Sequence, residues 1–220
     1  VMVSATSALT GHGEIAYGNA IGSIICNTAL IAALTVAIRP GPVDTKALKT
    51  PVLFFFGSAA IYVSNAYVTG YFGRPLGILL LAIFVVYLVV TVRQGFKNPA
   101  GAAAEEAEAV EEEAAKNSMA KDILLLVIGA ALVAVGADLL VDNGTLIAQA
   151  LGVPESVIAL TFVALGTSLP ELVTAITSLA KGHGSLSLGN VIGANIFNLV
   201  LVSGASMTLA PFRIPQSSTL

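Results

Sequence analysis

Gly11-His12-Gly13-Glu14-Ile15-Ala16-Tyr17-Gly18-Asn19-Ala20-Ile21-Gly22-Ser23-Ile24-Ile25-Cys26-Asn27 recurs 171 residues later as Gly182-His183-Gly184-Ser185-Leu186-Ser187-Leu188-Gly189-Asn190-Val191-Ile192-Gly193-Ala194-Asn195-Ile196-Phe197-Asn198. The correspondence extends without a gap. Val1 to Leu30 and Leu172 to Leu201 share twelve identical positions of thirty, Thr6-Ser7 with Thr177-Ser178 among them. An internal duplication is therefore the first constraint on the architecture, and the solvent in which both copies fold is the second.

That solvent is lipid. The chain has 220 residues, 56% of them hydrophobic and only 10% charged, with a mean hydropathy of +0.89, too apolar for a domain that must cover itself with polar surface. Crossing about 30 Å of hydrocarbon takes about 20 apolar residues. A partial span is predicted over Val1 to Leu9, and six full spans over Ile15 to Ile38, Pro51 to Gly70, Leu76 to Val92, Ile123 to Val141, Val157 to Ala180 and Leu186 to Ala210. All should be helices, because a segment alone in lipid must satisfy its own backbone hydrogen bonds. The fold class is all-α, a polytopic transmembrane bundle.

Sorting the basic residues by span parity puts Arg39, Lys46, Lys49, Arg93, Lys97, Lys116, Lys121 and Lys181 on one side and Arg74 and Arg213 on the other. Positive charge near span ends stays in the cytoplasm, so the loops at 39–50, 93–122 and 181–185 are expected inside. The first Gly-His-Gly turn then lies outside and the second inside, which makes the repeats inverted, a recurrent plan of secondary transporters. The chain divides into a first repeat over 1–97, an acidic Ala/Glu linker over 98–121 and a second repeat over 122–220. Six glutamates, Glu105 to Glu113, crowd the linker and read as a solvated segment, since EF-hand ligand spacing is absent. The expected location is the cell's inner or plasma membrane, crossed several times, with no cleavable signal peptide at the start. Cys26, inside an apolar run, reads as a small buried hydrophobe, and Asp138, near the predicted end of its span, as an interfacial acid.

The chemistry concentrates in Gly166-Thr167-Ser168-Leu169-Pro170-Glu171, in the middle of an apolar run. A carboxylate at that depth is expensive unless it meets a partner, so Glu171 is a candidate functional residue. Pro170 deprives the Gly166 carbonyl of its helical donor and predicts a kink. Thr167 and Ser168, four and three residues before Glu171, are expected on nearly its helix face. Carboxylate, hydroxyl and carbonyl oxygens suit Ca²⁺ and alkali ions rather than Zn²⁺, although simple back-bonding to helix carbonyls would also account for the hydroxyls. Neighbouring spans add Asn195, Asn198, Ser23 and Asn27. Gly18 with Gly22 and Gly189 with Gly193 form GxxxG patterns that allow close helix approach, while Asn19 and Asn190 are placed to cap or cross-link helices.

The motif Gly166 to Glu171, followed after the Gly-His-Gly turn by Gly189-Asn190-Val191-Ile192-Gly193-Ala194-Asn195-Ile196-Phe197-Asn198, resembles the second alpha repeat of the cation/calcium exchanger superfamily, and Val1 to Asn27 resembles the remainder of the first. The resemblance implies antiport of Ca²⁺ against Na⁺, or in some members K⁺ or H⁺, by alternating access. It implies Glu171 as a central Ca²⁺ and Na⁺ carboxylate, with Thr167, Ser168 and the Ala164 carbonyl completing flanking Na⁺ positions and Ser23 and Asn27 as first-repeat ligands. Asn198 falls where many relatives carry aspartate, and Ala194 where serine is common. The repeat partner of Glu171 would precede Val1. Alternatives that stay open are proton-coupled or K⁺-dependent exchange and a membrane scaffold that does not transport. An intramembrane hydrolase is disfavoured, since His12 and His183 lie in turns away from any buried nucleophile. Neither an enzymatic activity nor a cofactor is expected. The expected partners are the transported ions and the lipid bilayer, with no nucleic acid, and the oligomeric state is left open.

Overall fold

The computed structural model describes residues 2–38, 45–97, 119–180 and 184–213. Apart from two strands of two residues each, every regular element is helical. Four helical stretches are long and apolar enough to cross a bilayer, Ile15–Ile38, Leu48–Val68, Arg74–Phe96 and Leu188–Leu209, and the bent pair Ser156–Thr167 with Leu169–Ala180 supplies a fifth crossing if it forms one span. The span predicted over 123–141 is the middle of a longer helix, Met119–Leu151. That helix runs thirteen residues past position 138, so Asp138 lies well inside it rather than near its end. The acidic stretch 98–118 and His183 lie outside the described residues.

The duplication is visible in the helices themselves. Adding 171 to Gly13–Ile25 gives Gly184–Ile196, and both are helices with those bounds. Each continues into a π-helical segment at the same offset, Cys26–Ala32 and Phe197–Val202, and then returns to α-helix over Ala33–Ile38 and Ser203–Leu209. Four crossings lie between these two units when Met119–Leu151 and the bent pair are each counted as one, so the copies run in opposite directions through the bundle. This is the inverted arrangement that the charge pattern implies.

Sidedness is legible at one end of the bundle. Tyr71–Phe72 pairs antiparallel with Phe212–Arg213, the Phe72 and Phe212 rings stack at 5.2 Å, and the Arg213 guanidinium lies 5.2 Å above the Tyr71 ring. Tyr17 packs against Tyr62, Phe72 and Phe212. The connections carrying Arg74 and Arg213, the two basic residues sorted to the outer face, therefore meet at one end, and the Gly11-His12-Gly13 turn joins them, since a Cβ on Gly13 would sit 2.8 Å from Phe212 Cβ.

The helix Gly13–Ile25 lies against Glu155–Thr167, and its glycines explain how closely. A Cβ on Gly18 would meet the Ser156 carbonyl and Ala159 Cβ at 2.7 Å, and one on Gly22 would meet the Leu160 carbonyl at 2.4 Å. The expectation of close approach in the second copy is not met among the described residues, of which none comes within 4 Å of a Cβ on Gly189 or Gly193. Gly22→Ala should therefore cost about 1–3 kcal/mol through backbone overpacking, whereas Gly193→Ala should be neutral or stabilise by up to about 1 kcal/mol from helix propensity. Thermal unfolding of the two variants in detergent checks the contrast.

Candidate cation site

The kink predicted at Pro170 falls two residues earlier. Helix Ala164–Thr167 ends at Ser168, whose φ of −92° and ψ of 0° lie at the edge of the right-handed helical region, and Leu169–Ala180 restarts with Pro170 second, where a missing amide proton costs nothing. The two halves meet at 40°. The Ser168 N–H reaches back to the carbonyls of Ala164 at 3.0 Å and Leu165 at 3.2 Å. Thr167 and Glu171 consequently belong to different half-helices, which corrects the expectation that Thr167, Ser168 and Glu171 share one continuous face. Glu171 now sits in the first turn of its half-helix, where unpaired amide dipoles favour a negative charge.

Thr167 is drawn toward the first repeat. Its Oγ1 donates to Asn19 Oδ1 at 2.8 Å, lies 3.2 Å from the Ala164 carbonyl oxygen and is 3.3 Å from Ser23 Oγ. The Asn19 amide nitrogen in turn donates to Ser4 Oγ at 2.9 Å. Thr167, Ala164 and Ser23, all expected in the site, are thus brought together, with Asn19 as the hub.

Other residues expected around the site carry buried polar atoms with no partner among the described residues. These are Ser168 Oγ, Glu171 Oε2, and both Nδ2 and Oδ1 of Asn27, with Asn195 Oδ1 as a fourth location. Asn27 is fully buried and Ser168 is 2% exposed. Asn27 belongs to the π segment Cys26–Ala32, which packs against both Leu169–Ala180 and Gly184–Ile196, and Asn195 Nδ2 ties those elements by donating to Thr28 Oγ1 at 2.8 Å. Glu171, Pro170, Thr174, Ala175, Asn190 and Val191 line a cavity of about 250 Å³. Asn198 stands apart, half-buried at the start of Phe197–Val202, its carbonyl accepting from Ser203 Oγ at 3.1 Å. Asn19, Asn195 and Thr28 join the structure around the site although only the first two drew notice in the sequence. Thr28 gives no signal, because its role exists only through a partner 167 residues away.

Buried unpartnered oxygens are costly unless something fills their coordination. Among the described residues no three His, Cys, Asp or Glu side chains cluster to hold a metal, so the chemistry on offer is one carboxylate among neutral hydroxyl, amide and carbonyl oxygens. That donor set suits a hard cation bound reversibly.

A polytopic helix bundle with inverted repeats, a helix broken at mid-span and oxygen donors at the break define a membrane protein built on the plan of a secondary transporter. The family model described as sodium/calcium exchanger protein matches residues 1–93 and 121–220, and the chain belongs to that family. It is 38% identical over 203 residues to an uncharacterized membrane protein of Methanocaldococcus jannaschii, covering 90% of this chain and 62% of the relative. It is 33% identical over 217 residues to the inner membrane protein YrbG of Escherichia coli, covering 97% and 66%. The chain thus spans somewhat less than two thirds of these relatives' length. Among solved structures, the sodium-calcium exchanger NCX_Mj, from crystals soaked with Na⁺ and Sr²⁺, superposes with a TM-score of 0.67 at 32% identity, covering 99% of this chain and 68% of that one.

Because both polar atoms of Asn27 lack partners, Asn27→Leu should stabilise the cation-free protein by about 1–3 kcal/mol. Thermal unfolding in cation-depleted detergent measures it; a loss of stability would show that the amide is already satisfied.

Proposed function

We propose that this protein exchanges Ca²⁺ for a monovalent cation, Na⁺ foremost, across the cell's inner or plasma membrane by alternating access. The observation that carries the reading is the Glu171 carboxylate, held in the middle of a broken membrane helix with one buried oxygen unpartnered and a cavity beside it. A charge at that depth costs about 3 kcal/mol on insertion scales, a penalty that a bound cation offsets. Membership of the sodium/calcium exchanger family supports the same reading.

In this mechanism no covalent bond changes. Glu171 provides the charge that Ca²⁺ and Na⁺ compete for. Ser168 Oγ at the break and Thr167 Oγ1 just before it supply neutral oxygens, the Ala164 carbonyl completes with them the flanking positions for the monovalent ion, and Ser23 and Asn27 add ligands from the first repeat. The two inverted units, 1–97 and 122–220, joined by the acidic segment 98–121, exchange roles as the site faces one side and then the other. Binding at the midplane need not be tight. It must only differ enough between ions for gradients to drive the exchange.

Counterflow of radioactive Ca²⁺ into liposomes carrying the complete chain tests this, with Na⁺, K⁺ and pH gradients imposed in turn. A Na⁺ gradient is expected to drive uptake, and Glu171→Gln to reduce it to background while the protein remains folded. Uptake surviving in that variant would remove Glu171 from the centre of the site. Uptake driven by the pH gradient alone would make the proton the coupling ion.

A further inference from the structure

Asn19 lies one turn from Ser23 on the helix Gly13–Ile25 and is 3% exposed, yet the ligand set implied by the family resemblance assigns it nothing. Its environment fixes which way its amide faces. Ser4 Oγ directs its proton to the Ala16 carbonyl at 3.4 Å, which leaves Ser4 lone pairs to accept from the Asn19 Nδ2 at 2.9 Å. The amide oxygen is thereby turned to Thr167, whose Oγ1 stands 2.8 Å away. An amide oxygen only accepts, and a threonine hydroxyl has one proton to give. That proton has three acceptors within reach, Asn19 Oδ1 at 2.8 Å, the Ala164 carbonyl at 3.2 Å and Ser23 Oγ at 3.3 Å, of which Asn19 Oδ1 is nearest.

We infer that Asn19 is a positioning residue for the monovalent cation: by capturing the Thr167 hydroxyl proton it keeps the Thr167 lone pairs and the Ala164 carbonyl free to face the ion. Without that capture the hydroxyl turns to Ala164 in the back-bonding geometry usual for threonine in a membrane helix. It then occupies the carbonyl oxygen that the ion needs, which already accepts the Ser168 N–H at 3.0 Å. Asn19 touches no ion and acts only through Thr167. Its amide also needs close approach to the broken helix, which Gly18 and Gly22 on either side of it provide. The inference rests on the proposed roles of Thr167 and Ala164. It predicts an effect confined to the monovalent ion, because Glu171, the centre of the Ca²⁺ position, lies on the other half-helix.

The test uses the complete chain in liposomes and reads half-saturation for Na⁺ and for Ca²⁺ separately. Asn19→Leu is expected to raise the Na⁺ value about 10-fold, the usual size of an outer-shell effect on a metal site, while the Ca²⁺ value moves less than about 2-fold. In a Thr167→Val background, where no proton remains to capture, Asn19→Leu should have no further effect on Na⁺. Asn19→Asp keeps an acceptor on Thr167 and should hold the Na⁺ value at or below that of the parent, which decides the matter even if Asn19→Leu does not fold. Equal weakening of both ions by Asn19→Leu, an undiminished effect in the Thr167→Val background, or Na⁺ affinity lost in Asn19→Asp would each overturn the inference. Failure of the proposed function would show differently, as Ca²⁺ uptake that persists in Glu171→Gln.

Discussion

Hydrocarbon offers no hydrogen bonds, so every polar group inside the bundle must find its partner in the chain. Most hydroxyls here do so locally. Ser7 donates to the Val3 carbonyl, Thr35 to Ile31, Thr161 to Val157, Thr177 to Val173 and Ser206 to Val202, each four residues back at 2.7–2.8 Å. This self-satisfaction makes the exceptions informative. The side-chain oxygens of Ser168, Glu171, Asn27 and Asn195 remain unpartnered in the interior, and they lie where the helix is broken, where it widens, or on the turn just before it widens. Ser58 Oγ is left over as well, on the regular helix Thr45–Val68, so interrupted geometry accounts for the group around Glu171 and not for every unpartnered atom.

The interruptions are themselves duplicated. A π segment holds one residue more per turn than an α-helix, rotates the turns beyond it and loosens the backbone ladder, which is why such segments gather at functional sites. Cys26–Ala32 and Phe197–Val202 begin at positions related by the 171-residue offset, and each carries an asparagine at its second residue, Asn27 and Asn198. Their surroundings differ. Asn27 is fully buried in a segment packed against Leu169–Ala180 and Gly184–Ile196, whereas Asn198 is only half-buried. The symmetry of the sequence therefore sets where the helices deform, and the packing of each copy decides what the deformation exposes.

The sequence carries the span order, the inversion and the place of the intramembrane acid because each rests on a one-dimensional signal: run length, the parity of basic residues, and an acid set among apolar neighbours. What it could not carry depends on pairs of residues distant along the chain. Pro170 announces a kink, but its position was set at Ser168, because a proline is well tolerated in the first turn of a helix and pushes the irregularity ahead of itself. Asn19 and Asn190 are the same residue in the same motif. Only the fold shows one locked between Ser4 and Thr167 and the other facing the cavity beside Glu171. Gly18-Gly22 and Gly189-Gly193 likewise spell one pattern, and among the described residues only the first pair has a helix close against it.

This difference between copies bears on how the Glu171 carboxylate and the neutral oxygens around it would serve ions of unlike charge. Where a carboxylate stands among neutral oxygens, a divalent ion gains most from the acid, since the Coulomb term scales with the ion's charge. A monovalent ion gains proportionally more from well-aimed dipoles, and those are the groups whose orientation depends on their own hydrogen bonds. A hydroxyl presents an oxygen or a proton according to which neighbour claims that proton, so the balance between the ions rests on residues behind the ligands as much as on the ligands. On the proposed reading, Glu171 governs whether a cation binds. The chain from Ser4 through Asn19 to Thr167 governs which cation competes well for the place.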